Sequence, residues 1–252
     1  MQIDLSDQVA LVTGSAHRVG KAIALELARR GVHILVHYHS SAEETVRNTL
    51  HEIKSFGVDA VSVQANISQP EGVAAVFDRA RKHFDRFDIL VNSASVFPQG
   101  ELLDITLEEW QFTLDVNLTG PFLCTQAAVK RMRETEPGGG AIVNILDKGA
   151  ISPWPDRPHH GISKAGLSML TQTSAVNFAP DIRVNGVLPG PVMAPPGMSD
   201  ERWQEIGREQ TLLGHPGGAD DVARAVAYLV SESFITGAMI HVNGGEHFTN
   251  IK

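Results

Sequence analysis

Short apolar runs of strand length alternate along this chain with longer segments whose apolar residues recur at helical spacing. That alternation is the mark of βαβ units, and so of a mostly parallel sheet covered on both faces. It predicts strands at Val9–Thr13, His33–His37, Ala60–Gln64, Ile89–Asn92, Ala141–Leu146, Ile182–Leu188 and Met239–Val242. Between them it predicts helices at Val19–Arg30, Ala42–Phe56, Glu71–Phe84, Thr106–Arg133, His159–Phe178, Asp200–Gln210 and Asp220–Val230. Seven strands in this order make a single α/β domain over residues 1–252, with a doubly wound, seven-stranded, mostly parallel sheet.

Glycine and proline sharpen the boundaries. Gly138-Gly139-Gly140 marks a flexible turn before the fifth strand, and Pro180 stops the helix before Asp181. From Pro189-Gly190-Pro191 to Pro195-Pro196-Gly197 the chain is too broken by proline for regular structure. Lying beyond a strand's carboxyl end, this stretch overhangs the crevice where such sheets take ligands, either as a substrate lid or as a rigid surface connection.

Composition narrows the function classes. The 252 residues, 42% of them apolar, close one hydrophobic core without needing a second. With 21 Lys and Arg against 29 Asp and Glu the net charge is −8, and no basic run or basic helix face appears, which argues against a nucleic-acid or anionic-membrane surface. Cys124 is the single cysteine and sits in an apolar stretch, so neither a disulfide framework nor a cysteine-rich zinc site is expected. No segment approaches the roughly 20 apolar residues that span a bilayer, and Met1-Gln2-Ile3-Asp4-Leu5 has no basic head before an apolar run. A soluble cytoplasmic protein is expected.

Thr13-Gly14-Ser15-Ala16-His17-Arg18-Val19-Gly20 follows a strand and opens a helix, where a dinucleotide pyrophosphate meets free backbone amides and the positive end of a helix dipole. Gly14 and Gly20 serve a tight turn and close helix packing equally well. Arg18 adds the sharper signal, because a cation in a helix's first turn opposes the dipole and points to an external anion, a phosphate above all. The second strand then ends His37-Tyr38-His39-Ser40-Ser41, without the Asp or Glu that hydrogen-bonds an adenosine ribose, so a 2′-phosphate would be tolerated. His37 and His39 share one strand face and could instead ligate a metal, but no third ligand cluster accompanies them, and no metal is expected.

Further motifs come in order: Asn92-Ser93-Ala94-Ser95 after the fourth strand, Val116-Asn117-Leu118, Lys164, Pro189-Gly190 and Asn243-Gly244-Gly245. Together with the glycine turn they resemble the short-chain dehydrogenase/reductase family almost from end to end. Arg18 at the middle glycine, His37-Tyr38-His39-x-Ser41 and Asn92-x-Ala94-Ser95-x-Phe97 resemble its pteridine reductase branch. That resemblance implies a Rossmann fold and NADPH (NADP+) as cofactor. It implies Gly14, Ala16, Val19 and Gly20 at the cofactor turn, with Arg18, His39, Ser40 and Ser41 near the adenosine 2′-phosphate. It further implies Asn66 and Ile67 near the adenine, and Asn92, Ala94, Ser95, Lys164, Pro189, Gly190 and Val192 along the rest of the cofactor. Arg18, Ser95, Phe97, Asp147, His160 and Met193 would meet the substrate, Phe97 stacking on a planar pterin or simply packing the lid. Ser40 departs from the branch, which usually carries Arg there. The family also implies a homotetramer, for which Leu114, Leu118, Phe122, Leu167 and Leu170 suit an interface as well as they suit the core.

In the wider family a Tyr four residues before the Lys donates the proton. Here that position is His160, and the only tyrosines, Tyr38 and Tyr228, lie in the second strand and the last helix. Positions 160 and 164 are neighbours on one helix face, and Asp147 stands where most of the family has Ser and the pteridine reductases have Asp. Imidazole is well suited to give a proton at neutral pH. An Asp147 carboxylate beside it favours the imidazolium and a Lys164 ammonium opposes it. The expected reaction is hydride transfer to a C=N carbon of a dihydropterin, with His160 protonating nitrogen, Asp147 orienting the ring, and Lys164 and Asn117 holding the cofactor and a relay water. Two other readings stand beside it: a carbonyl or imine reductase of another small substrate, and a dinucleotide-binding protein without turnover, in which His159-His160 is only a polar helix start.

Overall fold

A computed structural model describes residues 2–135 and 138–251. Strand and helix alternate through β1 (Val9–Val12), α1 (Arg18–Arg29), β2 (His33–Tyr38), α2 (Glu43–Lys54), β3 (Ala60–Gln64), α3 (Pro70–His83) and β4 (Ile89–Asn92). The chain continues through α4 (Leu107–Leu114), α5 (Gly120–Glu134), β5 (Gly140–Ile145), α6 (Pro158–Phe178), β6 (Ile182–Pro189), α7 (Asp200–Gln210), α8 (Ala219–Ser231) and β7 (Met239–Val242). The seven strands form one sheet in the order β3-β2-β1-β4-β5-β6-β7. Every adjacent pair is parallel, where the pattern predicted a mostly parallel sheet. Each return between paired strands is long enough to carry a helix, so no hairpin interrupts the direction. Strand order reverses between β1 and β4, which opens a crevice at the carboxyl ends of those two strands.

Both sheet faces are buried, and successive strand residues divide between them. Leu11, Leu35, Leu90 and Ile142 pack with Val76, Phe77, Cys124 and Met132 from α3 and α5. Val12, Val36, Val91 and Val143 pack on the other side with Ile23, Leu27 and Val226 from α1 and α8. Cys124 is the core residue its surroundings predicted, and burial pushes its thiol up to about 12, which removes it as a nucleophile. Leu167 is buried inside the chain with Leu118 and Leu170 beside it, whereas Phe122, Met169 and Val176 are exposed on α5 and α6.

The helix predicted at Thr106–Arg133 is not continuous. A capping box of Thr106 and Glu109 starts α4, and a π-helical turn at Asp115–Thr119 separates it from α5. The Gly120 amide reaches back to Asp115 O, five residues away, while Pro121 supplies no amide to the next turn. Gly120 also passes close to another segment: a Cβ there would stand 3.1 Å from Ile67 O. The Gly120-Pro121 pair is the visible sign of the break in the sequence, and apolar periodicity runs straight through it.

The Gly138-Gly139 turn takes φ of +79° and +112°, open to glycine alone at little cost, and leads directly into β5. Phe87, fully buried just before β4 and 5.3 Å from the Phe77 ring, anchors the α3 side of the sheet. Phe87→Ala should cost about 3–5 kcal/mol, read as a lowered urea midpoint at unchanged m-value.

Candidate active site

The crevice above β1 and β4 is a cleft of about 370 Å³. Its wall includes Gly14, Arg18, Val19, Gly20, His39, Ser40, Ser41, Asn66, Ile67, Ala94 and Ser95, eleven positions singled out from sequence. Close backbone approach shapes it. A Cβ on Gly14, whose φ is +66°, would stand 3.0 Å from Ala94 Cα, and one on Gly20 would stand 2.4 Å from Gly14 O. The N-terminus of α1 has neither a side-chain cap nor an acidic residue in its first turn, so its free amides are available to an anion. Arg18 holds φ +55°, a left-handed conformation unusual for a side-chain-bearing residue and found most often at functional sites. Its one side-chain hydrogen bond among the described residues goes to Ala194 O at 3.4 Å, which leaves most of the guanidinium donors free. A bare-backbone turn, an uncapped helix start and an unpaired arginine fit a dinucleotide phosphate.

Three expected contacts fall elsewhere. Ala16 is wholly buried, and its carbonyl accepts from Thr49 Oγ1 at 2.8 Å. Val192 belongs to the core packed on α8. Asn92 is buried beneath the cleft, where its Nδ2 donates to Asn144 Oδ1 at 2.8 Å, and Asn144 in turn donates to Thr171 Oγ1 at 2.8 Å. It joins β4, β5 and α6 and does not reach the cleft.

His37 is a support that sequence reasoning missed. Its Nδ1 accepts from the Gly14 amide at 3.1 Å and its Nε2–H donates to Ala65 O at 3.1 Å, so both ring nitrogens serve the backbone and neither faces a metal. Thr13 makes the matching tie, accepting from the Ser93 and Ala94 amides at 2.9 and 3.0 Å. Burial holds His37 neutral, lowering it to about 4.

A second cleft of about 420 Å³ shares Arg18, Val19, Ser93 and Ser95 with the first and extends over β5 and β6. Asp147, His160, Lys164, Phe97, Pro189, Gly190 and Met193, all named from sequence as site residues, line it. Trp154, Trp203, Ile206, Gln210 and Glu246 line it too, none of them expected from sequence. Trp203, Ile206 and Gln210 fall on one face of α7, so helical spacing held that signal. Trp154 and Glu246 lie outside regular helices and strands, where periodicity says nothing.

Asn117, in the π turn and fully buried, organises the floor. Its Oδ1 accepts from the Val96 amide at 2.8 Å and from Ser95 Oγ at 3.0 Å, while Nδ2 donates to Val96 O and to Ser163 Oγ, both at 3.0 Å. Val96 O also faces His160 Nδ1 at 2.9 Å. Asn117 Nδ2 also lies 3.2 Å from this Nδ1, but its two protons have acceptors in Val96 O and Ser163 Oγ, and a carbonyl only accepts, so the network favours a proton on Nδ1. His160 Nε2 lies against Asp147 Oδ2 in a short hydrogen bond. Nδ1 therefore faces the Val96 carbonyl and Nε2 the Asp147 carboxylate.

Asp147 accepts from the Gly149 amide at 2.6 Å. Burial raises its carboxyl, but the His160 hydrogen bond and the nearby Lys164 charge outweigh that and hold it below its ordinary value. The Asp147 side chain is 20% exposed and that of His160 only 2%, so Asp147 is the part of the pair that meets the cleft. Lys164 Nζ donates to Ile145 O at 2.9 Å, and burial lowers it from its ordinary value against the pull of Asp147. Phe97 stands edge-on to both His160 and Trp154, with ring centres 4.5 and 5.6 Å away. The Arg157 guanidinium covers its ring at 3.9 Å and donates to Phe97 O at 2.6 Å. Phe97 is thus a braced wall with one face occupied.

Fold and cleft together define a dinucleotide-binding α/β protein. A family model described as enoyl-(acyl carrier protein) reductase matches residues 14–247, and the chain belongs to the short-chain dehydrogenase/reductase family of oxidoreductases. Glucose 1-dehydrogenase 2 of Bacillus subtilis (strain 168) is 37% identical over 97% of this chain and 96% of its own. 3β-hydroxysteroid dehydrogenase 1 of Eggerthella lenta is 35% identical over 97% of this chain and 95% of its own. Among solved structures, L-sorbose reductase of Gluconobacter frateurii, complexed with NADPH and L-sorbose, superposes with a TM-score of 0.91 at 28% identity, covering 98% of this chain and 99% of its own. All three are named for alcohol or carbonyl substrates, and none for a pterin.

Unfolded His37 titrates at its ordinary 6.5 and folded His37 at about 4, so between those values the unfolded chain binds the extra proton. Stability therefore rises with pH across that window and is lost on acidification, by about 3 kcal/mol in all. Urea midpoints should accordingly fall further between pH 7 and pH 4.5 for the wild type than for His37→Asn. Asn92→Ala should cost about 1–3 kcal/mol of stability, because it strands Asn144, yet leave the Kd for NADPH within about twofold, measured by nucleotide fluorescence.

Proposed function

We propose that this oxidoreductase is an NADPH-dependent reductase of a flat heterocycle, with the Asp147–His160 pair as its acid. The observation that carries the reading is the second cleft: an aromatic-walled slot whose floor holds a hydrogen-bonded imidazole–carboxylate pair beside a buried lysine. Arg18, His39, Ser40 and Ser41 would hold the cofactor's 2′-phosphate, and the uncapped start of α1 its pyrophosphate. NADPH, when bound, supplies the hydride.

The protein's own part is to hold and move the proton. His160 Nδ1–H is spent on Val96 O, which leaves the Nε2 proton, shared with Asp147, as the one to give. A substrate nitrogen bound at the exposed Asp147 edge takes that proton as it gains negative character. The ring then presents a bare Nε2 to a carboxylate, two acceptors face to face, and that repulsion drives re-protonation from solvent. Asn117 keeps the ring from turning away, and Lys164 balances the carboxylate's charge. A C=N bond such as that of a dihydropterin suits this acid, because an imine-like nitrogen is more basic than a ketone oxygen.

Carbonyl reduction is the second reading, favoured by the alcohol and carbonyl substrates named for the relatives. In either case the proposal includes assembly as a homotetramer, for which the exposed Phe122, Met169 and Val176 supply apolar surface.

NADPH oxidation at 340 nm with 7,8-dihydrobiopterin tests the leading reading. Substrate-dependent oxidation is expected, with NADH poorer. His160→Ala and Asp147→Asn should each lower kcat/KM by about 10²–10⁴-fold, and the double variant should be little worse than either, since the pair acts as a unit. Turnover of a simple ketone with none of dihydrobiopterin would transfer the proposal to carbonyl reduction, and full turnover by His160→Ala would remove the acid from His160.

A further inference from the structure

The mechanism leaves one carboxyl of the second cleft without a task. Glu246 opens the short helical turn after Asn243-Gly244-Gly245, and its side chain is 4% exposed. The turn is fixed from both sides, since the Glu246 amide donates to Asn243 O at 2.9 Å and Gly244 O accepts from the Leu212 amide at 2.8 Å. The carboxyl lies beside Gly190, where a Cβ would stand 2.9 Å from Oε2, so the absent side chain at 190 is what admits it to the cleft. Among the described residues its one charged neighbour within ion-pair distance, Lys148 Nζ, stands 3.7 Å from Oε1, beyond hydrogen-bond reach, and at the same time lies 5.2 Å over the Trp154 ring. Among the described residues no hydrogen bond to the carboxyl satisfies it.

We infer that Glu246 is a specificity-determining residue of the substrate cleft, its carboxyl accepting a hydrogen bond from a ring N–H of a flat heterocyclic substrate. The carboxyl opens onto the cleft, so a ligand that closes it off from solvent without supplying a donor strands an acceptor, and a ligand N–H removes that cost. Phe97, Trp154, Trp203, Met193 and Ile206 favour a flat apolar body. Such walls give the many hydroxyls of a sugar few partners. Burial raises the Glu246 carboxyl, Lys148 opposes this and the Asp147 charge adds to it. In either protonation state an oxygen remains to accept. The inference deepens the heterocycle reading and rests on it for the location of the substrate, but not on the pterin itself.

The test compares isatin with N-methylisatin, flat bicyclic probes that differ in one N–H, binding to the enzyme–NADP+ complex, followed by quenching of Trp154 and Trp203 fluorescence. Isatin should bind the wild type about tenfold more tightly. Glu246→Ala should bring the two within about twofold, and Glu246→Gln, nearly isosteric and still an acceptor, should retain part of the difference. Lys148→Met should keep the preference. Equal affinities in the wild type, an unchanged ratio in Glu246→Ala, or loss of the preference in Lys148→Met to the same extent would each overturn the inference, the last by showing that Glu246 only braces Trp154 through the lysine. Should Glu246→Ala not fold, judged by its thermal melt, the Glu246→Gln ratio decides: a preference reduced but still above twofold supports the inference, and an unchanged preference or its complete loss overturns it. Failure of 7,8-dihydrobiopterin to be reduced, with the isatin preference intact, would remove the pterin and leave this inference standing.

Discussion

A sheet whose strands all run the same way puts every carboxyl end on one edge. Its amino ends, by the same constraint, are committed to returning helices. In this protein that single edge must therefore hold the glycine turn after β1, the loop after β4, Asp147 after β5 and the proline-broken stretch after β6. These segments are far apart in the chain and irregular in backbone. Their union into one working surface comes from the rigid, doubly buried sheet below, whose Leu11, Leu35, Leu90 and Ile142 row cannot shift without opening the core.

Above that base, order is imposed by a few side-chain amides and imidazoles bonded to backbone. Asn117 ties the loop after β4 to α6, and His37 ties the glycine turn to the end of β3. Both residues are buried and uncharged, so each fixes geometry without adding a field of its own. The ionisable groups are kept for the second cleft, where Asp147 is hydrogen-bonded to His160 and feels the Lys164 charge. Geometry is thus fixed in one layer, and the ionisable groups are gathered in the next.

How much of this could be read from sequence differs by layer. The strands and most helices were legible to within a residue or two, because burial on both sheet faces writes continuous apolar runs, as in Val9–Val12 and Ile89–Asn92. The glycine turn was legible where a strand meets a helix start, and His160 and Lys164 share a face because they sit one turn apart on α6, whereas the choice of Asp147, His160 and Lys164 came from the family resemblance. The break at Asp115–Thr119 was not, since a π turn changes phase without changing composition. Asn92 was placed along the cofactor by the family resemblance, yet its position within β4 turns its side chain under the floor. Trp154 and Glu246 come from segments with no period at all, so only the assembled cleft reveals them.

The π turn also constrains chain length. Each residue added to or removed from a helix rotates the downstream turns by about 100°. The loose turn at Asp115–Thr119 therefore sets the relative phase of α4 and α5, letting α5 present Cys124, Ala128 and Met132 to the sheet while Asn117 still points at Val96. Deleting one residue there would restore a regular helix and swing one of those two faces off its target. Beyond what its side chains do, the segment is therefore intolerant of any change in its number of residues, a register lock that resides in counting.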